Sequence, residues 1–578
     1  MRKLKVILGI ILLIVISGYI FLRFVYLKVP DYKPNTSKSI SPIDLRPSII
    51  AKLQQLVIDG SNGLYRLTIN KINPDLITST LDIFDATLTP DTPSIRRLDQ
   101  LKLAPDDIFR ITVHSIHIDG IGITDLLNTK KIDIKRIRMV EPIIEVYHSL
   151  KPYNESTRER NDSLSLYHRL MKQMQRIAIG NIQIEHGKFI DQNLTHSKTT
   201  KKFNDINIAI KDVLIDSSTQ QDKDRFLFAK TADISCKDYA ILTPDSLYDF
   251  KIDHILISGE KHSLVATGVT LKPHGGKEAF NKKIKYRKEM YTADFPKVTL
   301  SGANWWAILH RDKFIAERAD IDKGSFLIYL DNTPPTSPTI KIANFPDQLL
   351  MKIPVPISIA KIKLKHIKLT YEEYEPKIKK NGFAYFDNVE AEITNVTNMA
   401  SIIKKNKNIA LVGSASFMHS VMMKTSIQFD LTKYREGVFS AYVHMDSMSK
   451  EVLNPVTETM ALFSFKSGYL NEGIAHVTGN NNTSQGDVLL LYNDLHITPL
   501  KTKEDSDGQL KKKAFTGLIA NTLLIKNNNP TGHQNPRHPV FSMDRDHHGN
   551  FFNFVWTTIL TGVLKTVGIP PRLVVKHE

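Results

Sequence analysis

Ile357-Ser358-Ile359-Ala360-Lys361-Ile362-Lys363-Leu364-Lys365-His366-Ile367-Lys368-Leu369 places aliphatic side chains at 357, 359, 362, 364, 367 and 369, with Lys361, Lys363, Lys365, His366 and Lys368 between them. The spacing is two, interrupted by slips of one. In a regular strand each slip would turn the following side chains to the opposite face. A helix would scatter the lysines into the apolar stripe, and β-branched isoleucine favours a strand. The stretch therefore predicts a strand with one aliphatic and one cationic face, bent or bulged between the second and third aliphatic positions so that the apolar set stays together.

The same signature, apolar-x-apolar-x-x-apolar-x-apolar, recurs upstream. It appears as Ile111, Val113, Ile116, Ile118, as Ile132, Ile134, Ile137, Met139, and as Ile177, Ile179, Ile182, Ile184. Further copies are Ile208, Ile210, Val213, Ile215 and Phe250, Ile252, Ile255, Ile257. Ser416 to Leu431, Val438 to Met448, Phe326 to Leu330 and Asp487 to Leu491 are further strand candidates. The polar stretches from Thr333 to Pro338, Lys501 to Lys513 and Asn527 to Gly549 read as linkers. One-sided strands must bury their apolar face. A sandwich does so against a second sheet, whereas a strongly curved sheet does so against itself. The bend in every copy favours the second arrangement. The predicted fold is mainly β, an elongated, highly curved one-sided β-sheet groove. Its lining is assigned to the isoleucines and valine of the first three sets, to Ile252, Ile255 and Ile257, and to Ile357, Ile359, Ile362, Leu364, Ile367 and Leu369.

Few segments read as helices. Ile49 to Val57 is one, and Leu164 to Ile177, with Leu164, Tyr167, Leu170, Met171 and Met174 on one side, is another. The sharpest is Phe551 to Val567. Phe551, Val555, Ile559, Val563 and Val567, joined by Phe552, Trp556, Leu560 and Leu564, form an apolar stripe opposite Asn553, Thr557, Thr558, Thr561 and Lys565. Such a helix suits a membrane interface, the cap of a groove or the end of a sheet.

With 578 residues, 42% hydrophobic and 24% charged, the chain can bury a large core and is not a disordered polymer. Lys+Arg 77 against Asp+Glu 60 gives a formal charge of +17, which suggests an acidic partner or surface. The N-terminus points to lipid. Val6 to Leu22 carries no charge and, if Arg23 snorkels, the apolar run continues to Leu27, about 33 Å of helix. Arg2, Lys3 and Lys5 precede it, and no A-x-A-like cleavage site follows. We expect a cytoplasmic tail and transmembrane helix over 1–28, a proline-containing stalk over 29–48, and a β-groove body over 49–500. A polar linker with terminal strands follows over 501–550, then the amphipathic helix and tail over 551–578.

Catalytic patterns are weak. Asp544-Arg545-Asp546-His547-His548 lacks the further acidic and histidine clusters of a two-metal phosphoesterase. His310-Arg311-Asp312 stands without the rest of a kinase loop set. His114 and His117 have no metal-ligand spacing, and Cys236 is the lone cysteine. Trp305-Trp306 is of a kind that anchors at a membrane interface or binds a sugar, but reads better as a core or inter-strand pair. No GxSxG elbow, Walker loop or GxGxxG occurs. Lysines that alternate along strands, rather than clustering among stacking aromatics, argue against nucleic acid. The expectation is a protein without enzymatic activity, cofactor or metal.

Ile116 to His148, IHIDGIGITDLLNTKKIDIKRIRMVEPIIEVYH, resembles segments of the AsmA/TamB-type proteins of Gram-negative envelopes, in which a strand, a short Leu-Leu turn and a strand pair ending in a Pro-centred run recur. Gly63 to Asp91 is similar to their N-terminal strands, and Asp544 to Gly568 to the terminal helix of related envelope proteins. The resemblance implies an inner-membrane, single-pass protein with its bulk in the periplasm, conducting phospholipids along a β-groove toward the outer membrane. Phospholipids and the inner membrane are then its partners, with the outer membrane or an envelope protein at the C-terminal helix. The alternative is a non-transporting scaffold or outer-membrane assembly factor.

Overall fold

In a computed structural model, several slips between aliphatic pairs fall at residues in the left-handed region, φ 50° at Asp85, 54° at Asp212, 51° at His366 and 59° at Asn395. Asn and Asp, whose short polar side chains bond locally, and His enter this region more readily than other side-chain-bearing residues. The structure describes residues 46–61, 63–75, 77–120, 131–154, 176–194, 200–219, 228–243, 245–305, 307, 313–338, 343–376, 378–460, 463–502, 510–512 and 526–569. The chain is mainly β and divides into two units.

The first unit comprises Met1–Pro244, Lys251–Ala266 and Gly302–Lys313. It holds helices α1 (Arg46–Gly60) and α2 (Thr92–Gln100) and strands β1 (Tyr65–Asp75), β2 (Thr80–Pro90), β3 (Asp107–Asp119), β4 (Lys131–Val140), β5 (Ile143–His148), β6 (Arg176–Asn193), β7 (Thr200–Ile215) and β8 (Thr231–Leu242). Strands β1, β2 and β3 pair antiparallel in sequence. β4 and β5 share one register against β3, broken at Glu141-Pro142, and both run parallel to β6, which pairs antiparallel with β7. Arg176 and Ile177 lie in β6, which corrects the end of the helix expected over Leu164 to Ile177; residues 164–175 fall outside the described residues.

The slips of neighbouring strands coincide. The β1–β2 ladder pairs Ile69 with Ala86 and then Lys71 with Phe84, so Asn70 faces Asp85 across an interruption. β2–β3 omits Asp85 and His114 in the same way, β4–β6 omits Lys135 and Gly180, and β6–β7 omits Gly180 and Asp212. Because both partners kink at one level, register is kept. Register-shifting bulges, the device expected from the sequence, occur elsewhere, as between Ile184 and Gly187 in β6–β7 and between Leu364 and Ile367 in the second unit.

The second unit comprises Asp245–Phe250, Thr267–Ser301 and Phe314–Glu578; strands β9 (Tyr248–Ser258) and β10 (Ser263–Pro273) are divided between the two units. Its further strands are β11 (Met290–Ser301), β12 (Phe314–Asp331), β13 (Ile357–Glu375), β14 (Lys380–Thr397), β15 (Asn408–Phe417), β16 (Val421–Asp430), β17 (Phe439–Met445), β18 (Met448–Ser449), β19 (Phe463–Gly479), β20 (Thr483–Thr502), β21 (Leu510–Lys512) and β22 (Val540–Asp544). The helices are α3 (Gly276–Lys283), α4 (Pro346–Met351), α5 (Ala400–Ile403), α6 (Lys450–Met460) and α7 (Phe551–Val567). β12 and β13 are parallel; the ladders β11–β12, β13–β14–β15–β16–β17–β19–β20 and β20–β22 are antiparallel. Asn527 to Gly549, expected as a linker, contains β22.

Helix α7 begins where Asn550 accepts a hydrogen bond from the Asn553 amide, 2.8 Å, and ends at Gly568 in the left-handed conformation, φ 84°. Its docking face corrects the sequence reading. Thr558 and Thr561, placed there on the polar side, are buried. Their hydroxyls bond the carbonyls of Phe554 (2.8 Å) and Thr557 (2.9 Å), and also meet the sheet, Thr558 at the Ser484 hydroxyl of β20 (2.8 Å) and Thr561 at the Met543 sulfur of β22 (3.8 Å), so both polar groups are satisfied within the buried contact. Gly562 lets the helix approach closely, since a Cβ there would lie 2.4 Å from Val488 Cγ2 and 2.5 Å from Phe541 Cε1.

Among the described residues no helix is long and apolar enough to cross a membrane; the stretch Val6 to Leu22 lies outside them.

Candidate lipid-binding face

In the first unit the aliphatic faces of successive strands meet one another. Ile111, Val113, Ile116, Ile118, Ile134, Ile137, Ile177, Ile179, Ile182 and Ile184 are each at most 5% exposed. They join Leu67, Ile72, Ile83, Ile210 and Ile215 in one cluster that Leu53 of α1 enters. This face is filled by the chain's own side chains. The Ile132 side chain is outside the described set, while Ile252, Ile255 and Ile257 are partly exposed.

The second unit differs. On β13, Ile357, Ile359, Ile362, Leu364 and Leu369 remain partly exposed and only Ile367 is buried. The cause lies on the neighbouring strands. Ile359, Ile362 and Ile367 pair with Ala316, Ala319 and Gly324 of β12, and Leu364 pairs with Ala391 of β14, itself opposite Gly413 of β15. On the β14 side the same residues have large partners, Val396, Ile393 and Val389 against Ile359, Ile362 and Ile367, and Leu364 has Ile321 on β12, so each aliphatic side chain of β13 has a large lateral neighbour on one side only. The sequence motif flagged β13; it missed the small residues beside it on β12, because their position depends on the parallel β12–β13 pairing.

Toward the end of β13 this row meets polar groups. Tyr371 donates to Glu373 Oε2, 2.8 Å, and Asn332 Nδ2 donates to Glu373 Oε1, 2.6 Å. Burial, reinforced by the Glu373 charge, drives the Tyr371 phenol far above its ordinary range, so it stays a neutral donor. Lys277 of α3 donates to Glu372 Oε1, 3.1 Å, with its ammonium 3.4 Å from the Tyr329 ring centre. Phe280 of α3 is buried against Tyr248.

The opposite face of β13 is less cationic than its lysines imply. Lys361 and Lys363 converge on Glu392 of β14, at 2.8 and 3.8 Å, and the hydrogen bond from Lys361 holds that carboxyl below its usual range. His366 pairs with Asp322 at 2.9 Å. His114 pairs likewise with Asp85 and His117 with Asp82, as cross-strand pairs on the solvent side of β3.

Of the α7 residues expected at a membrane, Phe551, Val555 and Leu564 are buried, Ile559, Leu560 and Val563 are partly exposed, and Phe552 and Trp556 are exposed at 61% and 54%. Burial pushes the Cys236 thiol up to about 11, which keeps it unreactive. Trp305 Nε1 donates to the Ser258 carbonyl, 3.2 Å, within the first unit. No group of three or more metal-ligating side chains occurs among the described residues, the Asp544–His548 stretch included; His310, Arg311, Asp312 and Trp306 lie outside them.

No protein-family model matches the chain, and no curated protein matches it. Among solved structures, the crystal structure of a sex pheromone staph-cAM373 precursor aligns at 9% identity over 62% of this chain and 96% of that one. Its TM-score of 0.12 carries no argument about fold or function.

Proposed function

We propose that the protein binds acyl chains on the β11–β14 face and passes phospholipids along a curved β-groove, anchored in the inner membrane by Val6 to Leu22 and acting toward the outer membrane. The observation that carries this reading is the row of partly exposed aliphatic residues on β13, flanked by Ala316, Ala319, Gly324 and Ala391. Each methylene withdrawn from water onto such a face is worth about 0.8 kcal/mol, so a bound chain offsets much of the cost of leaving a bilayer. No covalent step is required. The exposed Phe552 and Trp556 suit contact with a membrane interface.

Photocrosslinking from positions 362 and 364 in whole cells tests the proposal. Acyl adducts at both positions are expected, those at 362 lost in Leu364→Asp and those at 364 lost in Ile362→Asp, with folding retained. Absence of lipid adducts from both positions would remove the basis for it.

The packed first unit favours a second reading for that part of the chain. Its aliphatic residues serve cohesion, as in a scaffold or an envelope assembly factor, and photocrosslinkers at positions 137 and 177 would then capture no acyl species.

A further inference from the structure

The solvent face of strands β15–β20 and β22 carries a surface that the lipid reading does not use. Gln428 pairs with Ser440, Ser440 with Thr478, Thr478 with Gln485 and Gln485 with Ser542. These pairings form one straight row crossing β16, β17, β19, β20 and β22. Every member is exposed, whereas the alternate positions Phe429, Phe439, Ala441, Val477 and Phe541 are buried. None of the row's side chains hydrogen bonds to another group among the described residues, so amides and hydroxyls stand free to donate and accept. Two residues further along each strand runs a parallel row, Ser426, Tyr442, His476 and Asp487. Here the Tyr442 and His476 rings lie 5.0 Å apart, and His538 Nε2 approaches Asp487 Oδ1 at 2.7 Å.

The first row borders a depression of about 450 Å³, lined also by Asn408 and Asn480. In a chain with 77 Lys and Arg, that lining contains neither. Its carboxylate, Asp430, is occupied by the Thr432 amide at 3.0 Å and by Lys407 at 3.3 Å. A phosphate-bearing ligand, whether nucleic acid or lipid headgroup, meets at this lining only Lys407, already paired with Asp430. A peptide strand finds no free backbone, because these β16, β17 and β19 positions are paired on both sides.

We propose that this face binds an uncharged β-(1→4)-linked glycan strand lying across the β-strands. Strands succeed one another every ~4.8 Å, close to the advance per sugar of an extended β-(1→4) chain, so five strands offer roughly 19 Å of matched contacts. Side chains that both donate and accept complement sugar hydroxyls, and Tyr442 offers a ring face to the sugar C–H groups. The site is independent of the proposed acyl face.

The test uses the full-length protein in detergent, titrated calorimetrically with cellohexaose, with the hexamer of N-acetylglucosamine and with α-linked maltohexaose. Saturable binding of either β-linked hexamer, with maltohexaose at least tenfold weaker, is expected; which β-linked hexamer binds more tightly reports whether the acetamido group is read. Gln428→Ala combined with Gln485→Ala, at exposed positions that leave folding unchanged, should weaken binding at least tenfold while leaving co-purified lipid unaltered. Tyr442→Ala should do the same, and an unshifted thermal transition confirms its fold. Absence of binding by both β-linked hexamers, equal binding of maltohexaose, or wild-type affinity in the double variant would each overturn the assignment.

Discussion

The Arg545 guanidinium carbon lies 4.5 Å from the centre of the Phe345 ring, and Arg545 is only 5% exposed. Phe345 in turn packs on Phe439, Phe551 and Phe554, with ring centres 5.7, 5.0 and 6.4 Å away. The loop before α7 is thereby fixed to the residue preceding α4. Burial lowers the guanidinium's proton affinity slightly, yet its bonds to the Asn481 and Gly549 carbonyls keep it in place.

Removing that cation should loosen α7 rather than only lower stability. Arg545→Met is expected to cost about 2–4 kcal/mol in denaturant unfolding. Amide exchange over Phe551–Val567 should accelerate more than exchange elsewhere in the second unit. Arg545→Lys should not restore protection, because an ammonium cannot stack its plane on Phe345 while reaching both carbonyls.

Asp347, 0% exposed, has both carboxylate oxygens buried without a hydrogen-bond partner. Desolvation raises its pKa to about 6, and the neighbouring amides of Gln348 and Asp347 offset this only in part. A carboxyl that binds its proton more tightly folded than unfolded favours the folded state at low pH. That advantage is lost as pH rises from about 4 through 6, at a cost of about 3 kcal/mol by neutrality. Asp347→Asn should therefore raise the melting temperature at pH 8 and leave it nearly unchanged at pH 4. A pH-independent difference between the two proteins would contradict this.

The two aliphatic faces should respond differently to substitution. Ile137→Ala and Ile177→Ala, in the filled cluster, are expected to destabilise by about 2–4 kcal/mol without changing bound lipid. Ala319→Leu, beside Ile362 at a position only 6% exposed, should lower co-purified lipid at a stability cost of about 1–3 kcal/mol. Lipid content by mass spectrometry, paired with denaturant melts, reads both effects.

Phe552→Asp and Trp556→Asp, on the outer side of α7, should leave the melting temperature within a degree or two and reduce flotation with phospholipid vesicles severalfold. Gly562→Val, on the inner side, should destabilise by about 1–3 kcal/mol, because its side chain would collide with Val488 and Phe541.

The aliphatic face of β13 was legible from Ile357 to Leu369, since period and slip depend only on local spacing. The way the slip is absorbed was half legible. Asp85, Asp212 and Asn395 are residue types that enter the left-handed region readily, but matched kinks on adjacent strands require knowing which strands pair. Parallel pairings, β4 and β5 with β6 and β12 with β13, join segments separated by long connections and leave no local signature. The orientation of α7 misled for a specific reason. Hydropathy counts Thr558 and Thr561 as polar, although their hydroxyls are satisfied by helix carbonyls and by Ser484 and Met543 of the sheet. The amide and hydroxyl row from Gln428 to Ser542 escaped notice because each residue alone is an ordinary solvent-facing position.

The coincident kinks at Asn70, Asp85 and His114 make the crease belong to a column instead of a strand. A hairpin inserted into such a column joins cleanly when its own crease falls at the same height, and otherwise tears the ladder on both sides. Insertions and deletions in this region should thus be tolerated in whole creased hairpins, while a single added residue in β2 would be more damaging than the loss of β1 entirely.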